Sequence, residues 1–293
     1  MSKAKEPLRL DVRSTSKLFI DGEFVRSESE RSEAVGDDDA VRVARASRQD
    51  LRVAVASAKR AFPDWSTATP PSRGEALYRL AEALDARRAQ LIERLRAGAK
   101  LDEPAAAREA DASIDRTLWY AGWCDKYALV ASAVAPVAAP FSTYARPEPL
   151  GVVAVLAADE PSLLGLVTAV VPPLVSGNTV VVLASETDPR SAVAFSECVA
   201  AATLPRGTLN VLTGRRIELA PHFAKHPDVA GLHAIGLDGP FAAELERVAA
   251  EDLKTCRMLP ALSQADWFSG EALDLANVVA FTRLKTIWQP ALI

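Results

Sequence analysis

Residues 152–192 read VVAVLAADEPSLLGLVTAVVPPLVSGNTVVVLASETDPRSA, and their pattern decides the fold. Val152 to Leu156 is an unbroken apolar run, the composition of a strand buried on both faces. Pro161 to Val175 is long and apolar enough for a helix, and Ser176-Gly177-Asn178 ends it. Thr179 to Leu183 is a second buried strand. Strand, helix and strand at this spacing make one βαβ unit, whose two strands lie parallel. Downstream the alternation continues. Pro189 to Ala202 reads as helix, Thr208 to Leu212 as strand, Ile217 to Lys225 as helix, Val229 to Ile235 as strand and Pro240 to Ala250 as helix. The expected class is α/β, a parallel sheet with helices on both faces. Its ligand site should lie beyond the carboxyl ends of the strands.

Upstream, KLFIDGEFVR (17–26) alternates apolar residues around Asp21-Gly22, a hairpin signal. The acidic residues of 33–39 read as a solvated loop. Leu51, Ala54, Val55 and Ala58 recur at helical spacing. A second helix is expected to open at Pro70-Pro71 with a Ser72-x-x-Glu75 capping box and to carry Leu77, Leu80, Leu84, Leu91 and Leu95. A third runs over about 105–131 and gathers Trp119, Tyr120, Trp123 and Tyr127, suited to core packing or to an interface. Residues 134–149 are rich in Pro and β-formers and read as extended. Far downstream, VVAFTRLKTIW (278–288) reads as one strand with no partner close in sequence.

The 293 residues allow one large domain or two modest ones, with 49% apolar and 25% charged residues, a globular balance. A net charge of −4 argues against nucleic acid as a partner. The longest apolar stretch, 163–175, is too short for a bilayer, and the first 17 residues lack a signal-type apolar core. Cys124, Cys198 and Cys256 are widely spaced, which suits a reducing cytoplasm.

KLFIDGEFVRSESERS, EPLGVVAVL, SGNTVVVLASETDPRSA, LPRGTLNVLTG and HPDVAGLHAIG stand in the order of the corresponding segments of aldehyde dehydrogenases, and the chain resembles that family over most of 17–258. The resemblance implies a Rossmann-like dinucleotide-binding domain from 1–133 and 151–262. It also implies a small β oligomerisation element from 134–150 and 277–293. FTRLKTIW (281–288) is similar to the family's final oligomerisation strand. A catalytic domain normally precedes that strand; here about twenty residues do, so the resemblance implies an internal deletion.

Aldehyde oxidation needs a thiolate nucleophile and a general base. The family's cysteine falls in the missing domain, and its glutamate aligns near Leu259. Its oxyanion-binding asparagine aligns at about Glu160, whose charge would repel an oxyanion. The ribose-binding lysine aligns with Leu183, and the second glycine of the Gly-rich turn falls near Phe241. Glu186 matches the ribose-binding glutamate and Gly236 the first glycine, so these two are the candidate cofactor residues, for NAD or NADP if any nucleotide binds. No catalytic residue is assigned. His222 and His226 are four apart, but a third ligand is not evident, so no metal is expected. Asp159-Glu160 at the crevice reads as a solvated pair.

The expected function is a non-catalytic, cytoplasmic subunit that assembles with a full-length aldehyde dehydrogenase, or with itself, through Phe281, Leu284, Ile287 and Trp288. An active oxidoreductase with a rearranged site and a nucleotide-responsive regulator remain as alternatives.

Overall fold

A computed structural model describes residues 14–35, 38–138, 140–237 and 239–290. The expected α/β class is observed. Strands β1 (Ser14–Ser16), β4 (Ser32–Val35) and β5 (Asp38–Ala44) form a small sheet in the order β1-β5-β4. The acidic stretch read as a loop is therefore mostly strand. Val35 and Val43 are buried beneath it, and that apolar anchoring outweighs the local charge. β2 (Leu18–Ile20) and β3 (Glu23–Val25) are the predicted hairpin, with Asp21 and Gly22 both at positive φ in the turn.

Helix α1 (Arg48–Thr67) starts at a capping box made by Ser47 and Asp50. α2 (Pro70–Ala86) is capped by Thr69, whose hydroxyl accepts from the Ser72 N–H. The cap lies three residues before Ser72 because Pro70 and Pro71 have no N–H to satisfy and fit the first turn. The long leucine stripe breaks at Arg87, and α3 (Arg88–Gly98) carries Leu91 and Leu95. α4 (Glu103–Ala121) and α5 (Tyr127–Ala131) are likewise two helices, divided by a run of turns at 122–126. Periodicity reads through such breaks because the same apolar face continues on both sides.

Strand β6 (Phe141–Pro149) leads into the main sheet. β7 (Val152–Leu156), β8 (Thr179–Leu183), β9 (Leu209–Leu212), β10 (Val229–Ile235) and β11 (Thr255–Leu259) are parallel, and the hairpin completes the order β11-β10-β7-β8-β9-β2-β3. β2 joins β9 antiparallel at Phe19↔Val211. α6 (Ser162–Val175) is buried at all fourteen positions, as a helix apolar all round must be. It packs on one face of the sheet with α2, α4 and α7 (Pro189–Ala201), while α1, α8 (Arg216–Lys225) and α9 (Gly239–Ala250) cover the other. Each fully buried Leu or Val contributes about 1.5–3 kcal/mol, so this double-sided core carries most of the stability.

Beyond β11 come α10 (Gln264–Trp267), a 3₁₀ turn at Gly270–Ala272, α11 (Ala276–Val279) and β12 (Thr282–Pro290). β12 pairs antiparallel with β6 over nine residues, from Thr282↔Pro149 to Pro290↔Phe141. The last strand thus has a partner in its own chain, and the two form a separate ribbon. Residues 277–281, grouped with the ribbon from the sequence, belong to the main core: Val278 and Phe281 are fully buried. Among the described residues, no helix is long and apolar enough to cross a membrane.

Candidate functional site

The carboxyl ends of β7, β8 and β9 meet at one crevice, because parallel strands send all their following turns to one edge. The β7 turn carries Asp159 and Glu160, the β8 turn Ser185 to Asp188, and the β9 turn leads to Arg216 at the start of α8. Asp159, expected as half of a solvated pair, is about a third exposed and bonded at both oxygens. It accepts from the Glu186 N–H at 2.9 Å, the Ser185 hydroxyl at 3.3 Å and both terminal nitrogens of Arg216 at 3.1 Å. Arg216 Nη2 also donates to the Ala157 carbonyl at 2.9 Å. Glu186 in turn accepts from the Arg216 backbone N–H, a carboxylate at a helix N-terminus.

Glu186 stands exposed at the crevice, with one carboxylate oxygen bonded to the chain itself. Gly236 follows β10 at φ +81°, and its N–H donates to the Leu259 carbonyl at 2.9 Å. Positive φ explains the glycine there. Phe241, on the first turn of α9, packs against the second core cluster. Leu183 is buried, Leu259 half-buried and Glu160 exposed. Arg216, the group that joins these turns, escaped the sequence reading; a basic pair, Arg215-Arg216, in a turn reads only as surface.

The sulfurs lie elsewhere. Cys124, in the turn after α4, is 2% exposed, and burial pushes its thiol up to about 12. Cys198, inside α7, is fully buried and pushed up to about 11 by the same cause. Cys256 is half-buried in mid-β11, opposite Leu232, and desolvation raises it too. A thiol so shifted is protonated at neutral pH and a poor nucleophile.

Another cavity, of about 410 Å³, opens between the start of α4 and α10 and is lined by Arg108, Glu109, Glu160 and Phe268. The Arg108 guanidinium lies 4.1 Å from the Phe268 ring centroid. Glu109 Oε1 accepts from the N–H groups of Leu163 and Leu164 at 2.8 and 3.2 Å, and desolvation raises its pKa. It caps α6. His222 lies on α8, and His226 Nδ1 accepts from the Asp228 N–H. Among the described residues no His, Cys, Asp or Glu cluster has the makeup of a metal site.

The four residues proposed for an interface divide. Phe281 is 0% exposed and packs 5.5 Å from the His233 ring, so it is a core residue that no partner reaches. Leu284 and Trp288 are 57% and 58% exposed on the ribbon, and Ile287 is half-buried. In the aromatic cluster Tyr120 and Tyr127 are buried, while Trp119 and Trp123 are half-buried.

A family model described as the aldehyde dehydrogenase family matches residues 24–259. Human cytosolic 10-formyltetrahydrofolate dehydrogenase is 34% identical over 230 residues, covering 74% of this chain and 25% of that protein. The putative aldehyde dehydrogenase DhaS of Bacillus subtilis is 29% identical over 211 residues, or 69% of this chain and 42% of that protein. Among solved structures, PnpE from Pseudomonas sp. WBC-3, in complex with nicotinamide adenine dinucleotide, superposes with a TM-score of 0.78 at 27% identity. That match covers 83% of this chain and 50% of the other. The chain spans about half the length of such structures and about a quarter of the formyltetrahydrofolate dehydrogenases.

Proposed function

The chain belongs to the aldehyde dehydrogenase family, and from that premise we propose that it is a non-catalytic, cytoplasmic subunit that assembles with a full-length aldehyde dehydrogenase. The partner supplies the thiolate, the general base and the cofactor site.

The β6–β12 ribbon carries this reading. Residues facing one another across an antiparallel pair share a face, so Leu284, Thr286, Trp288 and Pro290 stand with Phe141, Thr143, Ala145 and Pro147. That face is mainly apolar apart from Thr286 and Thr143; the opposite one holds Ile287 and Tyr144 among Arg283, Lys285, Arg146 and Glu148, so Ile287 faces away from Leu284 and Trp288. Trp288 meets Phe141 edge to face at 6.1 Å. Among the described residues nothing pairs with the outer edge of β12. An open edge beside exposed Leu and Trp invites strand addition, and an oligomer is the controlled outcome. The lack of an activated sulfur at the crevice supports the non-catalytic half of the reading.

The test is co-expression of the tagged chain with each full-length aldehyde dehydrogenase of its source cell, followed by sizing and native mass spectrometry. A heteromer is expected with at least one of them. The Leu284→Arg/Trp288→Arg double variant, which leaves Phe281 and the core intact, is expected to elute without it. NADH formation from aldehydes by the chain alone, or co-elution unaltered in the double variant, refutes the proposal.

A further inference from the structure

We propose that Arg216 is the resident occupant of the nucleotide crevice: its side chain closes the carboxyl edge of the sheet from within and excludes a dinucleotide. This inference is independent of whether the chain assembles with a partner.

The sheet order places β8 between β7 and β9. Arg216 starts in the turn after β9, yet its guanidinium bonds to Ala157 and Asp159 beyond β7. The side chain therefore crosses the carboxyl end of β8, the ground on which a nucleotide bound at this edge would lie. Its side chain is only 15% exposed. The contact to Asp159 uses both guanidinium Nη atoms and both carboxylate oxygens, the fork geometry in which arginine binds most firmly.

Groups that would greet a nucleotide are already engaged in the same arrangement, although Glu186 and Thr187 stay exposed. Glu186 accepts from the Arg216 N–H, and the N–H of Glu186 goes to Asp159. The Thr187 hydroxyl donates to the Asp159 carbonyl at 3.1 Å, and the Ser185 hydroxyl donates to Asp159. On the side of Glu186 that faces the small sheet, the cavity lined by Glu33, Val43, Arg45, Ser185 and Gly214 is about 20 Å³, room for one water.

Displacement of the arginine would not open a competent site at no cost. It would strip Asp159 of its charge partner, so a nucleotide would have to outcompete a two-pronged ion pair already in place. One residue thus does by itself what a cofactor does elsewhere: it ties the turns after β7, β8 and β9 together.

The experiment compares thermal unfolding of the full wild-type chain and the Arg216→Gly variant, each with and without 5 mM NAD, NADP or ADP (roughly a hundredfold excess over a Kd of tens of micromolar, which raises a midpoint by several degrees). The wild-type midpoint is expected not to move. Arg216→Gly, which vacates the β8 end, is expected to melt lower and to be raised by at least one of the nucleotides. If Arg216→Gly does not fold, Asp159→Ala releases the same guanidinium and takes its place in the assay. A rise in the wild type, or the same response in wild type and variant, overturns the proposal. Selective rescue by nucleotide separates occupancy from a purely structural role, since lost stability alone would leave both chains unresponsive.

Discussion

At the carboxyl edge of the parallel sheet, Asp159, Ser185, Glu186 and Arg216 bond one another across three consecutive turns. Along the β6–β12 ribbon, one whole edge of β12 finds no strand partner among the described residues. The first region has turned its recognition groups inward. The second has kept its apolar side chains and main-chain groups turned outward. Backbone N–H and C=O groups are obligatory hydrogen-bonding groups, so a region that leaves them open is held for a partner or for water. A region whose polar groups are largely engaged with one another has less need of either. Work on this chain should therefore look for ligands at the ribbon before the crevice.

The ribbon is outward only beyond its root. The largest expected effect tests that root. Phe281 immediately precedes β12, is fully buried and presses its ring towards Gly231 so closely that a Cβ there would lie 2.6 Å from it. Its carbonyl accepts from Asn178 Nδ2 at 3.0 Å and from the Leu150 N–H at 3.2 Å. Phe281→Ala is expected to cost about 3–5 kcal/mol, the range for emptying a core phenylalanine site. Urea unfolding followed by far-UV circular dichroism reads this as a lower midpoint for the whole transition. If the variant instead frays the ribbon at low urea and leaves the main transition in place, root and core are separate units.

The ring beneath Phe281 gives the next effect. His233 is wholly buried in β10; its Nδ1 faces the Arg257 carbonyl at 3.0 Å, and Nε2 has no partner. Burial lowers its pKa to about 4 from the ordinary 6.5. Between those values the unfolded chain binds the proton and the folded chain does not. Stability is complete above pH 6.5 and falls as pH drops towards 4, by about 3 kcal/mol. His233→Gln should flatten that part of the urea-midpoint profile between pH 7 and 4.5. A slope equal to wild type would assign the acid sensitivity elsewhere.

Much of the parallel sheet was legible because its evidence is local. Val152 to Leu156, Thr179 to Leu183 and Val229 to Ile235 coincide with observed strands to the residue. Each is a short apolar run between turn formers, and burial on both faces needs little more. Three features required distance. The hairpin's place beside β9 rests on the antiparallel pairing of residues 192 positions apart, Phe19 and Val211, and on the Asp21 N–H donating to Asn210 Oδ1. Phe281 closes the apolar run VVAF at the head of VVAFTRLKTIW, and that run does not say whether its last residue belongs to the strand or turns inward. Arg216 and Asp159 are 57 residues apart, and only the closed sheet brings their turns together. Of the candidate residues, Glu186 and Gly236 each follow a parallel strand at the carboxyl edge, while the residue that engages Glu186 was not legible.

The next effect bears on the crevice itself. Asp159→Asn keeps the shape of the side chain and removes the charge that holds Arg216. Its carboxylate is about a third exposed, so solvent moderates the pair, and the expected cost is about 1–2 kcal/mol. Because the lost term is a charge pair, 0.5 M salt should narrow the gap between variant and wild type, whereas a loss of packing would be indifferent to salt. Trp288→Arg on the ribbon, exposed although it stands opposite buried Thr143, should shift the same midpoint by less than about 0.5 kcal/mol. That order places the crevice's interactions inside the fold's own stability and the ribbon's outer face outside it. If Trp288→Arg destabilised the isolated chain more than Asp159→Asn, the two regions would have exchanged roles: the ribbon would be built for the chain itself, and the crevice would be the part left free to bind.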